Sequence, residues 1–94
     1  MPLFALFCVD KPDSLQVRMG AREAHLAYVR GFGGQMKLAG PLLDDKGDMA
    51  GSLIIIDLED QAAAEAFSAD DPYTKAGLWE RVDIKPFKAT LGAV

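Results

Sequence analysis

Two runs of apolar residues, one near the start of the chain and one past its middle, predict strands that are buried on both faces. Residues 3–9 read LFALFCV and residues 51–58 read GSLIIIDL. A strand with one solvated face alternates apolar and polar residues, whereas these runs are continuously apolar at their centres. We therefore expect both faces of the sheet that they form to be covered.

Two stretches with helical periodicity follow those strands. Residues 14–32 are predicted to form a long helix, since apolar side chains recur there at spacings of three, four or seven. A second helix is predicted to begin at Glu59 or Asp60 and to run through Phe67. It ends before Pro72, because proline disfavours the helical conformation in the residue that precedes it. The apolar stripe of the first helix, expected to face the core, consists of Leu15, Met19, Leu26, Val29 and Phe32.

Two further strands complete the pattern. Residues 35–39 are predicted to form a short strand that Gly40-Pro41 ends, and residues 42–50 a polar loop. Residues 79–89 are predicted to form the last strand, in which Pro86 indicates a sheet edge or a strand end. The order β-α-β-β-α-β is that of the α+β ferredoxin-like fold, a single domain over residues 1–94 with a four-stranded antiparallel sheet and two helices on one face.

This architecture leaves one face of the sheet without a helix. The first and third strands are nevertheless apolar on both sides. The simplest cover for the second face is the same face of another copy of the chain. We therefore expect a homodimer whose two sheets pack face to face.

Composition and charge narrow the classes of function. The chain has 94 residues, of which 50% are hydrophobic and 26% are charged, as in one ordinary globular domain. A net charge of −4 argues against partners such as nucleic acid or an anionic membrane surface. No apolar run is long enough for a membrane span, and no basic region marks a signal peptide. The single cysteine, Cys8, cannot form an internal disulfide, which favours a cytoplasmic location.

The polar residues that could carry chemistry each have two interpretations. His25, the only histidine, could be a general acid or base, or an ordinary surface residue of the first helix. Asp71 could orient an imidazole, with Tyr73 donating a hydrogen bond, or the segment could be a solvated helix stop. Ser52 could bind a substrate oxygen or be an ordinary hydroxyl at the start of a strand.

Other familiar kinds of site fit the sequence poorly. One histidine and one cysteine are too few for a conventional zinc site within one chain, so no metal is expected. Cys8 lies in the middle of a buried strand, where a thiol usually serves only for packing. The acidic residues Asp44, Asp45 and Asp48 lack the spacing of a calcium loop. No motif for a nucleotide or another cofactor is present.

Several short motifs follow one another along nearly the whole chain. They are Asp13-Ser14, Arg18, Arg22 and His25-Leu26 in the first helix, and then Gly40-Pro41, Gly51-Ser52, Asp71-Pro72-Tyr73, Ala76-Gly77 and Lys85-Pro86-Phe87. Taken in this order, they resemble the YciI-like (YCII-related) family. The resemblance implies a ferredoxin-like fold that forms dimeric α/β barrels, and a site that binds a small molecule without a dedicated cofactor.

The resemblance also implies an active site built around a histidine and an aspartate, which would be His25 and Asp71. We then expect proton transfer on a small oxygenated substrate, aromatic or lactone-like, by a lyase or isomerase; some relatives are linked to removal of chloride from hydroxylated aromatic compounds. Arg22 could bind an anionic group, and Ser52 and Tyr73 could supply hydrogen bonds. The alternative is a non-enzymatic dimer that binds a small ligand, in which His25 and Asp71 form a structural ion pair.

Overall fold

Four strands and two main helices follow one another in the predicted order. The computed structural model describes residues 2–92. Its sheet is antiparallel throughout, with strand order β2-β3-β1-β4, which confirms the ferredoxin-like topology. The elements are β1 (Leu3–Asp10), α1 (Leu15–Arg30), β2 (Met36–Leu43), β3 (Met49–Asp57), α2 (Gln61–Asp70), the one-turn helix α3 (Pro72–Lys75) and β4 (Trp79–Phe87), with a short 3-10 turn, Gly33–Gln35, before β2.

The core lies between the helices and one face of the sheet. Alternate residues of β1 point into it, and Leu6 stands opposite Ile54 of the neighbouring strand. Both side chains are 1% exposed. Val29 of α1 and Phe67 of α2 close the core from the helical side. Within residues 2–92, no helix is long and apolar enough to cross a membrane.

The opposite face of the sheet carries apolar side chains that no helix covers. Phe7 in β1 is 43% exposed and Leu38 in β2 is 49% exposed. Leu53 of β3, opposite Phe7 in the register, lies beside them. We call these residues, together with Leu3, Ala5, Val9 and Ile55, the uncovered apolar face.

The second strand is longer than predicted, because proline does not end it. β2 continues to Leu43, so Gly40 and Pro41 lie inside the strand, and Pro41 pairs with Ser52. β2 is an edge strand, where a residue without an N–H group can be accommodated. Pro86 lies in β4, the other edge strand, as its position in the sequence predicts.

The N-terminal half of α1 turns a different face to the sheet than the apolar pattern predicts. Leu15 and Met19 are 40% and 50% exposed. The buried residues of α1 are Arg18, His25 and Val29, which also recur at helical spacing, and of these only Val29 belongs to the predicted stripe. The predicted stripe is therefore wrong in its first half. Polar side chains face inward there because they form hydrogen bonds with buried partners.

Candidate active site

His25 and Asp71 are far apart in the sequence and in direct contact in the structure. The Nδ1 atom of His25 lies 2.8 Å from Oδ1 of Asp71. His25 is 6% exposed and Asp71 is 2% exposed. The interpretations of His25 as a surface residue and of Asp71 as a solvated carboxylate are therefore wrong, and the approach expected of the two residues is present.

The local chain fixes the orientation of Asp71. This residue is the N-cap of α3, and its Oδ1 also accepts a hydrogen bond from the Tyr73 N–H at 2.9 Å. Pro72 stands at the start of that helix, where its fixed φ suits the first helical position. Because the carboxylate is an acceptor, Nδ1 of His25 carries the hydrogen of this bond, and Nε2 is the ring nitrogen left to exchange a proton with a ligand.

Tyr73 stacks on the imidazole and limits its movement. The ring centroids of Tyr73 and His25 are 4.0 Å apart with an interplanar angle of 16°. Trp79 packs edge-on against Tyr73 at 5.5 Å. Burial raises the pKa of the Tyr73 phenol, although Arg18 acts in the opposite direction. Tyr73 therefore keeps its hydroxyl proton near neutral pH and can donate a hydrogen bond.

A second buried ion pair, between Arg18 and Asp10, lies beside the first. Arg18 is 2% exposed, and its Nε and Nη2 donate to the two Asp10 carboxylate oxygens at 2.9 and 3.0 Å. Nη2 also donates to the Gly51 carbonyl at 2.7 Å and to Ser52 Oγ at 3.0 Å. Burial acts to lower the pKa of Arg18, but Asp10 outweighs it, and the pKa is raised. Arg18 is therefore a fixed cation.

Sequence reasoning did not assign a role in the site to this second pair. Arg18 belongs to the motifs that carry the family resemblance, and Asp10 stands one residue beyond the predicted end of β1. Two signals could have found it. Asp10 continues the alternation of Leu6 and Cys8 along the strand, and Arg18 precedes His25 by seven residues, which places both on one face of α1.

The two ion pairs adjoin a cavity of about 220 Å³ between α1 and the sheet. Four of the five predicted site residues line it, and Asp71 lies behind His25. Arg22 stands at the exposed mouth. The structure therefore brings the predicted residues together and adds Arg18. The lining consists of Arg18, Arg22, His25, Ser52 and Tyr73, with the mainly apolar residues Leu26, Val29, Ala39, Gly40, Pro41 and Met49.

A larger groove of about 530 Å³ lies between the β1–α1 connection and the β2–β3 turn. Apart from the buried Asp10, its carboxylates, such as Asp13, Asp44 and Asp48, are exposed. In the part of the chain that the structure describes, no three His, Cys, Asp or Glu side chains are arranged to hold a metal ion. The smaller cavity is the stronger candidate, because three buried titratable side chains, Arg18, His25 and Tyr73, converge on it.

Cys8 lies in the core, away from the lining of that cavity. Its side chain is 1% exposed. Burial, and then the negative charge of Asp71, raise the pKa of the thiol to about 12. The thiol is therefore protonated near neutral pH, which is typical of a packing residue rather than a nucleophile.

Comparison with known proteins identifies the family. The model of the YCII-related domain matches residues 2–88. Protein YciI of Escherichia coli O6:H1 is 38% identical, over 92% of this chain and 96% of that protein. The structure of 5-chloro-2-hydroxyhydroquinone dehydrochlorinase (TftG) from Burkholderia phenoliruptrix, in complex with 2,5-dihydroxybenzoquinone, is 36% identical with a TM-score of 0.85, over 92% of this chain and 93% of that one. An antibiotic biosynthesis monooxygenase, at 14% identity and a TM-score of 0.59 over 97% of this chain and 100% of that one, shares the fold alone. The chain therefore belongs to the YCII-related family.

Proposed function

We propose that this protein is an enzyme that transfers a proton on a small oxygenated substrate without a cofactor. His25 is the acid–base group, and Asp71 holds and charge-stabilises its ring. The observation that carries the proposal is the 2.8 Å contact of the buried Asp71 with His25, which lines a cavity. A positioned histidine with a carboxylate behind it is the usual arrangement for general acid–base catalysis.

In the proposed reaction, Nε2 of His25 accepts a proton from a hydroxyl or an acidic C–H of the substrate. The electron pair of the broken bond stays in the substrate. In an elimination, it then drives out a leaving group that departs with its own electron pair; in an isomerisation, the proton returns at another atom. Asp71 keeps Nδ1 protonated through the cycle and stabilises the imidazolium that forms.

The substrate class is argued from cavity size and from the relative of known activity. An engineered apolar cavity of about 150 Å³ holds benzene, so a cavity of about 220 Å³ has room for one small ring with its oxygens. The dehydrochlorinase TftG acts on a chlorinated hydroxyhydroquinone and was solved with a dihydroxybenzoquinone. We therefore place the substrate among hydroxylated aromatic or lactone-like compounds.

A homodimer in the cytoplasm is part of the same proposal. The uncovered apolar face, with Phe7 and Leu38 each more than 40% exposed, is suited to meet its counterpart in a second copy. The single thiol, Cys8, is buried and unpaired, as in proteins of a reducing compartment.

The test is release of chloride from 5-chloro-2-hydroxyhydroquinone, followed with and without a chelator. The native protein is expected to release chloride in both cases, and His25→Ala to lower the rate by about 10²–10⁴-fold. Arg30→Gln, an exposed change on the same helix, is the matched control. Binding of 2,5-dihydroxybenzoquinone with no turnover of any hydroxylated ring or lactone would support the ligand-binding alternative instead.

A further inference from the structure

We propose that Arg18 and Ser52 form a subsite for an oxyanion inside the cavity. The substrate would present to them an oxygen that carries or develops negative charge, a phenolate or enolate, while His25 acts on another atom of the same ring. The role given to His25 rests on the proposed function. The binding of an anionic oxygen does not, because it can be measured without turnover.

The hydrogen bonds of Arg18 leave one edge of the guanidinium for a ligand. Nε and Nη2 donate four hydrogen bonds, to the Asp10 carboxylate, the Gly51 carbonyl and Ser52 Oγ. Nη1 takes part in none of these four bonds, and the Tyr73 phenol is a further side chain whose hydrogen bonding acts on Arg18. Because Nη1 carries two N–H groups and the phenol oxygen can occupy only one of them, Arg18 keeps a donor that a ligand in the cavity can reach.

Ser52 supplies a second donor at the same place. Its side chain is buried and lines the cavity, and its Oγ accepts a hydrogen bond from Nη2 of Arg18 at 3.0 Å. The acceptor role leaves the hydroxyl hydrogen free to rotate toward a ligand. One oxygen of the ligand can then receive donors from both residues, as in an oxyanion hole.

The charges are arranged to favour an anion at this position. Asp10 binds the Nε–Nη2 edge of Arg18 and lines the larger groove instead of the cavity. A ligand oxygen bound to Nη1 would therefore lie closer to the Arg18 guanidinium than to the Asp10 carboxylate. The ring of Tyr73 lies 4.7 Å from the Arg18 guanidinium carbon and holds the plane of the group in place.

Arg18, and not Arg22, then has the anion-binding role. Arg22 is exposed at the mouth of the cavity, where water competes for its hydrogen bonds. Arg18 is 2% exposed and held by four hydrogen bonds, so it loses little freedom when a ligand arrives. A buried, preorganised donor discriminates between charged and neutral oxygens far better than a solvated one.

The test compares two probes that differ only in the oxygen, pentafluorophenolate and pentafluorobenzene. Their dissociation constants are measured by fluorine NMR titration at mildly alkaline pH. The native protein is expected to bind the phenolate at least about tenfold more tightly, the order expected for hydrogen bonds to a charged group. Ser52→Ala should reduce that preference, and the double variant Arg18→Gln/Asp10→Asn should remove it. The double variant replaces both buried charges with amides, so neither is left unpaired.

Two results would overturn the proposal. One is a native protein without preference for the phenolate; the other is a preference that survives in both Ser52→Ala and a folded double variant. If the double variant does not fold, Ser52→Ala decides, because it leaves the ion pair intact. Loss of the preference in Arg22→Gln alone would return the role to Arg22. Arg30→Gln is the charge-matched control, since Arg30 is exposed and outside the cavity lining.

Discussion

The ring of Tyr73 lies against the guanidinium of Arg18, with 4.7 Å between the ring centroid and the guanidinium carbon. The same ring stacks on His25 at 4.0 Å. Tyr73 therefore connects two ion pairs that come from different parts of the chain, Arg18 with Asp10 and His25 with Asp71. Each ion pair therefore packs against the same aromatic ring.

Two substitutions of Tyr73 should distinguish the contribution of its ring packing from that of its hydroxyl hydrogen bond. Tyr73→Phe keeps the ring, so the free energy of unfolding should change by about 1 kcal/mol or less, while ligand affinity falls roughly two- to tenfold with the lost donor. Tyr73→Ala removes a side chain that is 1% exposed and should cost about 3–5 kcal/mol. Denaturant unfolding of the two variants measures the difference. Equal destabilisation by both would contradict the view that the ring is the structural part.

His25 and Asp71 should behave as one unit in catalysis. His25→Ala and Asp71→Asn are each expected to lower turnover by about 10²–10⁴-fold. The double variant should be little slower than either single one, because the second change removes a partner that already has no function. Steady-state rates of the native protein, the two single variants and the double variant form a double-mutant cycle. Multiplicative losses, with the fold intact by circular dichroism, would show that the two residues act independently.

Because Arg18 and Asp10 form a buried ion pair, we expect the removal of one charge alone to lower the free energy of unfolding substantially. Arg18→Met leaves the Asp10 carboxylate, 5% exposed, without its cation and should lower the free energy of unfolding by about 3–5 kcal/mol. Adding Asp10→Asn should recover much of that loss, because the unpaired charge is gone. The exposed pair of Arg81 with Asp83 is the control, and Arg81→Met should cost no more than about 1 kcal/mol. Equal losses of stability in Arg18→Met and Arg81→Met would contradict this expectation.

The buried thiol of Cys8 should make the free energy of unfolding depend on pH in the alkaline range. Its pKa is raised from 9.0 to about 12 in the folded chain. Above pH 9.0 the unfolded chain loses the thiol proton while the folded chain keeps it. The stabilising contribution is therefore complete below pH 9.0 and is lost as the pH rises toward about 12.

Cys8→Val should remove that part of the alkaline loss. We expect it to change stability at neutral pH by no more than about 1–2 kcal/mol and to leave activity intact. Urea titrations of both proteins across this pH range test the linkage. A pH profile identical to that of the native chain would contradict it, and loss of activity in a folded variant would indicate a nucleophilic role for the thiol.

The uncovered apolar face predicts association in solution. A stable interface of this kind should bury at least about 1,200 Å² in total. Phe7→Lys places a charge in that face and should give a monomer in sedimentation velocity at micromolar concentration. Val17→Lys on α1 is the control, because Val17 and Phe7 are 41% and 43% exposed. A native protein that sediments as a monomer would rule out the dimer.

The strand order could be predicted because it depends on continuous apolar runs and on turn residues. The runs at residues 3–9 and 51–58 became the two central strands, and Pro86 marked an edge. The length of β2 could not be predicted in the same way. A proline such as Pro41 ends a strand only where its missing N–H would have bonded to a neighbouring strand. The edge position of β2 follows from how the strands assemble, not from the local sequence.

The inward face of α1 could not be predicted from hydropathy. A hydrophobic pattern places arginine in solvent, and Arg18 would lie there without the carboxylate that β1 brings to it. The contact of His25 with Asp71 likewise joins positions 46 residues apart. The family resemblance pointed to that pair through its motifs, whereas the contact of Asp10 with Arg18 also depends on how β1 and α1 lie side by side.

The two edge prolines limit how copies of this protein can associate. Pro41 and Pro86 lie in the two outer strands, and neither has an N–H group to offer a neighbouring strand. A proline in each border strand opposes the extension of the sheet by another chain through an unbroken ladder of hydrogen bonds. Contact through the flat side of the sheet produces a closed pair, whereas growth along its borders would produce a fibre. A chain that exposes so much apolar surface is thus protected against open-ended aggregation.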